Sequence, residues 1–294
     1  MLVDFLVVGI SIGLVYAIVA LGISLIYSGL DIVHFAHGEF VMFGAFFGLV
    51  LVNDSGLNYP ISIFLAMIFA GLMGVVVERV FYRRLTSKGG GYTVAGMGMI
   101  ICGFGMAIIL QNIAFLIWGA EGHAINVDFG TPMKIGTVNL PKSYLWILCV
   151  SVGLMAILHL FLKNTKAGLA IRAVAANKDI AYLMGINVPL MISLIFGLAC
   201  GLAAVGGVLI GPINYVQVEM GYLILIKGFA AAVVGGFGSL PGAILGGLMV
   251  GIFETLGAGY ISGSHKDIYA FLLLIAVLVI RPTGLFGQLA KSKA

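Results

Sequence analysis

The stretch FLVVGISIGLVYAIVALGISLIYSGL (Phe5–Leu30) contains no Asp, Glu, Lys or Arg. A spanning helix needs about 20 apolar residues to cross a hydrocarbon core of roughly 30 Å, so this stretch is long enough to cross a bilayer. Further uncharged runs follow along the chain, and they are Phe40–Val52, Ser55–Val77, Gly89–Ala120, Ser143–Leu162, Ile180–Val218, Gly228–Phe253 and Ile268–Ile280. The first of these extends back to His34 to reach a full span. The pattern predicts an all-α polytopic membrane protein with about eight transmembrane segments.

The composition excludes a soluble domain and gives no sign of a nucleic-acid partner. Of 294 residues, 62% are hydrophobic and 9% are charged, whereas a soluble domain carries about 25% charged residues. The net charge is +4, and the basic residues lie in short loops rather than in one patch. The cysteines Cys102, Cys149 and Cys200 lie in apolar runs, so we expect core residues there and neither a disulfide nor a metal site.

The run Gly228–Phe253 is interrupted by the sequence GGFGSLPG at residues 235–242. The residues in it that we expect to break a helix and to line or gate a pathway are Gly235, Gly236, Gly238 and Pro241. Two short helices, roughly 223–236 and 242–257, are expected around a broken or re-entrant segment. Irregular backbone at membrane depth needs cover from protein or from a water-filled cavity, which makes this segment a candidate lining element.

The basic residues orient the predicted bundle, because cytoplasmic loops carry an excess of Lys and Arg. One side would carry Arg79, Arg83, Arg84, Lys88, Lys163, Lys166, Arg172, Lys178, Arg281, Lys291 and Lys293. The other side would carry only Lys134, Lys142 and Lys266. This distribution places the N-terminus outside and the C-terminus in the cytoplasm. Residues 1–294 then form one membrane domain, with an external loop at 119–142 and a cytoplasmic loop at 163–188.

The loop 163–188 carries the signals of a short helix. Asn177 suits an N-cap, Asp179 suits the positive end of the helix dipole, and Gly185 suits the position after the last turn. The residues expected to be exposed close together, and small enough to enter a groove, are Ala181, Met184 and Gly185. A linker that lies on the membrane surface, held there by its basic residues, fits the same sequence.

This loop resembles the coupling loop of bacterial ATP-binding-cassette (ABC) importer permeases, and more closely that of the branched-chain amino-acid permease family of the LivH type. Other segments resemble the same family in the expected order along the chain. They are GLVYAIVALG (Gly13–Gly22), FAHGEFVMFGA (Phe35–Ala45), KGFAAAVVGGFGSLPGA (Lys227–Ala243) and RPTGLFG (Arg281–Gly287).

The resemblance implies the transmembrane permease subunit of an ABC importer for branched-chain or similar small amino acids, in a bacterial inner membrane. Residues 177–186 would dock on an ATP-binding subunit. The implied partners are two cytoplasmic ATP-binding subunits, a second related or identical permease, and an external substrate-binding protein. The chain contains no Gly-x-x-x-x-Gly-Lys-Ser/Thr phosphate loop, so ATP hydrolysis has to come from a partner, and we expect neither enzymatic activity nor a cofactor.

A polar cluster is expected at the inner end of the first two segments, and its members are Asp31, His34, His37 and Glu39. Two histidines and two carboxylates suit a divalent metal ion. A cluster that caps the helices and fixes the turn suits them as well, and it is the interpretation we adopt. His37 and Glu39 also fall in a segment that resembles a family signature, so they are candidates for lining or gating the pathway.

Lys227 and Glu254 are predicted to form a buried ion pair. Each lies a few residues inside the predicted outer face, on one of the two short helices. A lone charge at such depth costs about 2.5–3.5 kcal/mol on insertion scales, and pairing reduces this cost. In the alternative hypothesis, one of the two residues contacts a zwitterionic substrate.

Other transporter classes fit parts of the pattern. Permeases for urea or short amides share much of it. An ion-coupled secondary transporter would place ionisable residues near the midplane, whereas the acidic residues here lie at or near predicted span ends. A sodium site built from backbone carbonyls stays compatible with the sequence. An intramembrane aspartyl protease does not, because every Asp lies at a span end or in a loop.

Overall fold

The computed structural model describes residues 2–88, 92–135 and 138–287. Its helices are α1 (Leu2–Leu30), α2 (His37–Leu49), α3 (Tyr59–Val77), α4 (Arg83–Lys88), α5 (Tyr92–Trp118), α6 (Lys142–Asn164), α7 (Lys166–Ala176), α8 (Lys178–Leu183), α9 (Val188–Ile210), α10 (Met220–Gly235), α11 (Leu240–Tyr260) and α12 (Lys266–Ile280). The π-helical segment Val50–Asp54 continues α2, and Glu78–Tyr82 joins α3 to α4. Between α5 and α6, β1 (Met133–Ile135) and β2 (Val138–Leu140) form a small antiparallel hairpin.

Seven helical stretches in the described part of the chain are long and apolar enough to cross a membrane. They comprise α1, α5, α6, α9, α11, the joined α3–α4 stretch, and α12 with the turn before it. Helix α10 is a shorter apolar helix, and α2 has 13 residues before its π-helical extension. The prediction of an all-α polytopic membrane protein is confirmed. The expected count of about eight segments depends on whether α2 and α10 are counted as spans.

Helices α1 and α9 form the centre of the bundle, since most of their residues are buried. Helices α5, α6 and α12 lie at the periphery and expose many large apolar side chains, such as Ile108, Leu116 and Ile157. Such side chains face lipid, which is as apolar as they are. Contact between helices in a membrane therefore depends on close packing, which small residues allow.

Glycines bring α1 and α11 into backbone contact. A Cβ atom added to Gly13 would lie 2.9 Å from the carbonyl oxygen of Gly247, and one added to Gly9 would lie 3.2 Å from that of Gly251. These four glycines form Gly-x-x-x-Gly spacings on both helices, so the two backbones approach each other along a shared stripe. No larger side chain fits between them without moving one helix.

Gly13→Val is expected to destabilise the bundle by about 1–3 kcal/mol, because overpacking forces neighbouring atoms to shift. The matched control is Gly105→Val on α5, where an added Cβ would meet no atom within 4 Å. Thermal unfolding in detergent, followed by size-exclusion chromatography, should show a clearly lower midpoint for Gly13→Val alone. Equal shifts for the two variants would contradict the proposed contact.

Helix α2 begins at half the depth of the bundle. The His37 ring lies against Gly22 of α1, at a point where Ala199 in the middle of α9 also approaches. Gly22 is about two turns before the end of α1, so residues 31–36 run back from that end into the bundle. The expectation that His37 and Glu39 lie at the inner end of the segments is therefore wrong. The irregular backbone is covered by protein, as its depth requires.

The helix break predicted in residues 235–242 is a tight turn between α10 and α11. Gly236 and Gly238 in this turn have φ of +101° and +78°, which glycine adopts without strain. The N–H groups of Leu285 and Phe286 donate to the last carbonyls of α10 at 2.9 and 3.0 Å. The segment after α12 therefore caps α10, and the turn lies at the face where α12 ends.

The two ends of the bundle carry different elements. Helix α6 begins next to β1 and β2 and leads to α7 and α8. We call the end that carries the strands the hairpin face and the opposite end the α7–α8 face. The α10–α11 turn belongs to the α7–α8 face, because Phe237 in this turn packs on Tyr27 near the end of α1, with ring centroids 4.8 Å apart.

Candidate functional site

Helix α8 is the short helix predicted in the loop before α9. The Asn177 side chain caps it by accepting hydrogen bonds from the N–H groups of Asp179 and Ile180, both at 3.0 Å. Asp179 lies in the first turn, where its charge interacts favourably with the helix dipole. Gly185 follows the helix with φ of +80°, a conformation that ends helices. The residues chosen from the sequence as the start and stop signals therefore bound the helix.

The side of α8 that faces away from the bundle is apolar and exposed. We call Tyr182, Leu183 and Met184 the α8 tip, in which Leu183 is 82% and Met184 77% exposed. Gly185 next to the tip is exposed as well. Ala181 is only 2% exposed, because the inner side of α8 packs on α7 and α9. The expectation that Ala181 is exposed together with Met184 and Gly185 is therefore wrong. The exposed side chains next to Met184 are the large ones of Tyr182 and Leu183.

An ion pair joins α8 to the corner between α1 and α2. The Lys178 Nζ lies 2.9 Å from the Asp31 Oδ2. Asp31 directly follows α1 and has φ of +59°, the only positive φ of a non-glycine residue in the described part of the chain. Residues 31–36 lead from this point to α2, so a displacement of α8 would act directly on the segment that positions α2.

A second polar cluster fixes the end of α3 to the start of α9 on the α7–α8 face. Glu78 is buried and accepts hydrogen bonds from the Arg83 guanidinium at 3.1 Å and from the Ser193 hydroxyl. Arg83 also donates to the Pro189 carbonyl at 3.1 Å. The cluster supplies the partners that a buried carboxylate needs, so it anchors this face of the bundle.

A groove of about 780 Å³ lies between α2, α5, α10 and the segment before α2. Phe35 stacks on Phe104 with ring centroids 4.2 Å apart and lies 6.5 Å from Phe229. Glu39 lines the groove from the first turn of α2 and is 4% exposed. Because α2 begins at half-depth, Glu39 and this groove lie between the two faces of the bundle rather than at either face. We refer to it as the α2–α5–α10 groove.

The predicted polar cluster is dispersed by the fold. His37 is buried between α1 and α9, away from the groove lining. His34 is buried as well, and its Nδ1 lies 2.7 Å from the Tyr82 hydroxyl. Asp31 is paired with Lys178. Across the described ranges, no three His, Cys, Asp or Glu side chains are grouped so that they could hold a metal ion.

The glycines of the α10–α11 turn allow close backbone contacts within the turn and with the C-terminal segment. The backbone of Gly235 lies against that of Gly242, and Gly236 lies against Gly287 of the C-terminal segment. Pro241 lines a separate cavity of about 250 Å³, together with residues of α1 and α6. Gly238 is next to Tyr27. These residues do not lie on the α2–α5–α10 groove.

The structure brings Lys227 and Glu254 together and adds a third charge. Lys227 Nζ lies 2.7 Å from Glu254 Oε1 and 2.7 Å from Asp267 Oδ1, and it is 5.6 Å from the centre of the Tyr16 ring. Lys227 and Glu254 are buried. Sequence reasoning missed Asp267, although its position in the first turn of α12 predicts that it faces the same end of the bundle. The cluster joins α1, α10, α11 and α12.

A family model described as "Branched-chain amino acid transport system / permease component" matches residues 5–279. The high-affinity branched-chain amino acid transport system permease protein BraD of Pseudomonas aeruginosa is 37% identical, over 96% of this chain and 95% of BraD. LivH of Escherichia coli K12, which carries the same description, is 33% identical, over 95% of this chain and 94% of LivH. The chain belongs to this permease family.

Two further matches are more distant. The fructose import permease protein FrcC of Rhizobium meliloti is 33% identical over 161 residues, which is 52% of this chain and 42% of FrcC. The structure titled PsaBC from Streptococcus pneumoniae in complex with Fab superposes with a TM-score of 0.50 at 18% identity, over 95% of this chain and 91% of that one. At this identity the likeness concerns the fold alone.

In this permease, the segments that carry the family resemblance are neighbours in space. Val19 in the stretch Gly13–Gly22 lies against Gly228 in the stretch Lys227–Ala243. Gly22 lies against His37 in the stretch Phe35–Ala45. The fourth segment, Arg281–Gly287, caps α10 from the C-terminal side. The segments therefore form one connected region, which runs from the centre of the bundle to the α7–α8 face.

Proposed function

We propose that this chain is the membrane permease subunit of an ABC importer for branched-chain or similar small apolar amino acids. Helix α8 is the observation that carries the proposal, because a capped helix presents an apolar tip on a polar face of the protein. Exposed apolar patches of this kind mark sites that bind a partner. The chain has no phosphate loop, so the partner supplies ATP hydrolysis. The names of BraD and LivH support the substrate class.

The α8 tip would insert into a groove on a cytoplasmic ATP-binding subunit. Two such subunits would serve two permeases, this chain and a second related or identical one. The α2–α5–α10 groove supports a paired arrangement, since exposed residues such as Phe104 and Tyr222 leave it open on one side. A second permease would close that side and complete a pathway. Dimerisation of the ATP-binding subunits would then move α8 and, through Lys178 and Asp31, the start of α2.

The orientation that fits this proposal places the α7–α8 face in the cytoplasm and the hairpin face outside. Arg83, Lys178 and Arg281 on the α7–α8 face support it through the positive-inside rule. The N-terminus would then lie outside and the C-terminus in the cytoplasm of a bacterial inner membrane. The external loop at 119–142 would receive the external substrate-binding protein. Its pairing of His123 with Val216 gives that loop an ordered base on the bundle.

Within this scheme, Glu39 would line the pathway, and His37 would hold the start of α2 between α1 and α9. The α10–α11 turn, with Gly236 and Gly238, would act as a pivot rather than as lining. Lys227 and Glu254 would brace the outer end of the same two helices.

An ion-coupled carrier needs none of the partners that the α8 tip requires. A permease for urea or short amides would need no buried carboxylate in its groove.

The experiment that tests the proposal is gentle solubilisation of the chain from cells that express its neighbouring genes, followed by identification of the proteins that co-purify. We expect ATP-binding subunits and a second permease, and ATP-dependent uptake of labelled leucine after reconstitution with the binding protein. Uptake of leucine that is driven by a sodium or proton gradient without ATP-binding subunits would reject the proposal. ATP-dependent uptake of urea but not of leucine would reject the substrate class.

Removing either member of the Lys178–Asp31 pair is expected to lower the leucine transported per ATP hydrolysed about two- to fivefold. The pair is partly exposed, so its loss should change stability by less than about 1 kcal/mol. Asp31→Asn keeps a residue that tolerates positive φ. Asp31→Asn, Lys178→Gln and the double variant should show a similar loss of coupling, because each of them removes the contact between Lys178 and Asp31. Additive losses in the double variant would contradict a shared role in coupling.

A further inference from the structure

We propose that the α2–α5–α10 groove binds the transported molecule, with Glu39 receiving a cationic ammonium group and Phe35, Phe104 and Phe229 receiving an apolar side chain. The inference rests on the proposed function and deepens it, because it assigns the substrate class to named residues. The ligand class is a small molecule that carries an ammonium group on an apolar body, as branched-chain amino acids do.

Glu39 lines this groove and has an acceptor without a partner. Glu39 is 4% exposed, yet its Oε2 has no hydrogen-bond partner among the described residues. A buried carboxylate oxygen without a partner is costly, and an ammonium group would satisfy it with a charge-assisted hydrogen bond. Glu39 lies in the first turn of α2, near the positive end of the helix dipole. A bound ammonium group would offset the cost of burying the charged carboxylate.

The rest of the lining sets the chemistry of the ligand. The groove contains two carboxylates, Glu39 and Glu219, and no Lys or Arg among its lining residues in the described part of the chain. Such a lining favours a cationic group over a neutral amide or a sugar hydroxyl. The three phenylalanine rings provide the apolar contact, since the Phe35 ring centroid lies 4.2 Å from that of Phe104 and 6.5 Å from that of Phe229. A volume of about 780 Å³ is in the range of small-molecule sites.

A polar path leads from the hairpin face to this groove. Gln111 and Glu219 line both the groove and a neighbouring cavity of about 370 Å³. Asn112 and Gln217 also line that cavity. Gln217 directly follows Val216, which pairs with the hairpin-face loop at His123. A solute released at the hairpin face thus meets hydrogen-bonding side chains before it reaches Glu39.

The test uses the whole transporter in proteoliposomes, with its ATP-binding subunits, its binding protein and labelled leucine. Glu39→Gln keeps the size of the side chain and removes its charge, and leucine uptake should fall at least about tenfold. ATP hydrolysis stimulated by the binding protein should stay within about twofold of wild type, since the partners still dock. Glu39→Asp restores the negative charge, so its leucine uptake should be at least about threefold higher than that of Glu39→Gln.

Asp54→Asn is the matched control, since Asp54 is an exposed carboxylate at the other end of the α2 stretch, away from the groove. It should transport leucine like wild type. Wild-type uptake by Glu39→Gln would overturn the inference. A parallel fall of uptake and stimulated hydrolysis would also overturn it, because Glu39 would then serve the fold or the coupling. Absence of ATP-driven leucine uptake in the wild-type complex would instead reject the proposed function itself.

Discussion

Replacing Met184 by glutamate is expected to release the ATP-binding subunits from the purified permease and to abolish ATP-driven uptake. Met184 is 77% exposed at the α8 tip and would be buried when the tip enters its partner. A carboxylate there would be desolvated against an apolar surface without a cation. Substitutions at the centre of an interface typically weaken the binding free energy by about 2–4 kcal/mol. A loss of this size is enough for the ATP-binding subunits to dissociate during purification. The measurement is the ratio of ATP-binding subunits to permease after affinity purification.

Ile261→Glu is the matched control, because Ile261 is also 77% exposed but lies after α11 on the hairpin face. The same change from an apolar to an acidic side chain should leave the subunit ratio unchanged there. Both variants should elute as single symmetric peaks, since neither side chain packs inside the bundle. A Met184→Glu permease that retains its ATP-binding subunits would show that α8 is not the docking element.

Those features that depend on local chemistry were predictable from the sequence. The span positions follow from the length of uncharged runs, because a bilayer core of about 30 Å sets the required length. The bounds of α8 follow from Asn177 and Gly185, whose side-chain and backbone preferences act within a few residues. The break between α10 and α11 follows in the same way from Gly236 and Gly238. None of these predictions required knowledge of what each helix packs against.

Features that depend on packing were not predictable. The buried side of a helix as short as α8 follows from its contacts with α7 and α9, and for this reason the exposure expected for Ala181 was wrong. The depth of α2 depends on residues 31–36 folding back along α1, which no hydropathy window detects. The α2–α5–α10 groove joins Phe35, Phe104 and Phe229, which are far apart in the chain. Only their contacts in the fold show that they belong to one site.

Lys227→Met is expected to destabilise the permease by about 3–5 kcal/mol, because it leaves the buried Glu254 carboxylate without a cation. Asp267 also loses its partner, but its side chain is 48% exposed and stays hydrated. The effect should appear as a lower yield of monodisperse protein and a lower unfolding midpoint in detergent. Lys266, Lys227 and Glu254 line one cavity of about 610 Å³. Lys266→Met removes an exposed lysine from this cavity and should behave like wild type.

Removing both charges separates bracing from substrate contact. In Lys227→Met/Glu254→Leu, no buried charge is left unpaired, so the stability should return to within about 1–2 kcal/mol of wild type. If the pair only braces α10 and α11, this variant should also transport leucine at a substantial rate. If one member instead contacts the zwitterionic substrate, the double variant should fold but transport little. Normal folding of Lys227→Met alone would contradict the brace, since a buried Glu254 would then need no partner.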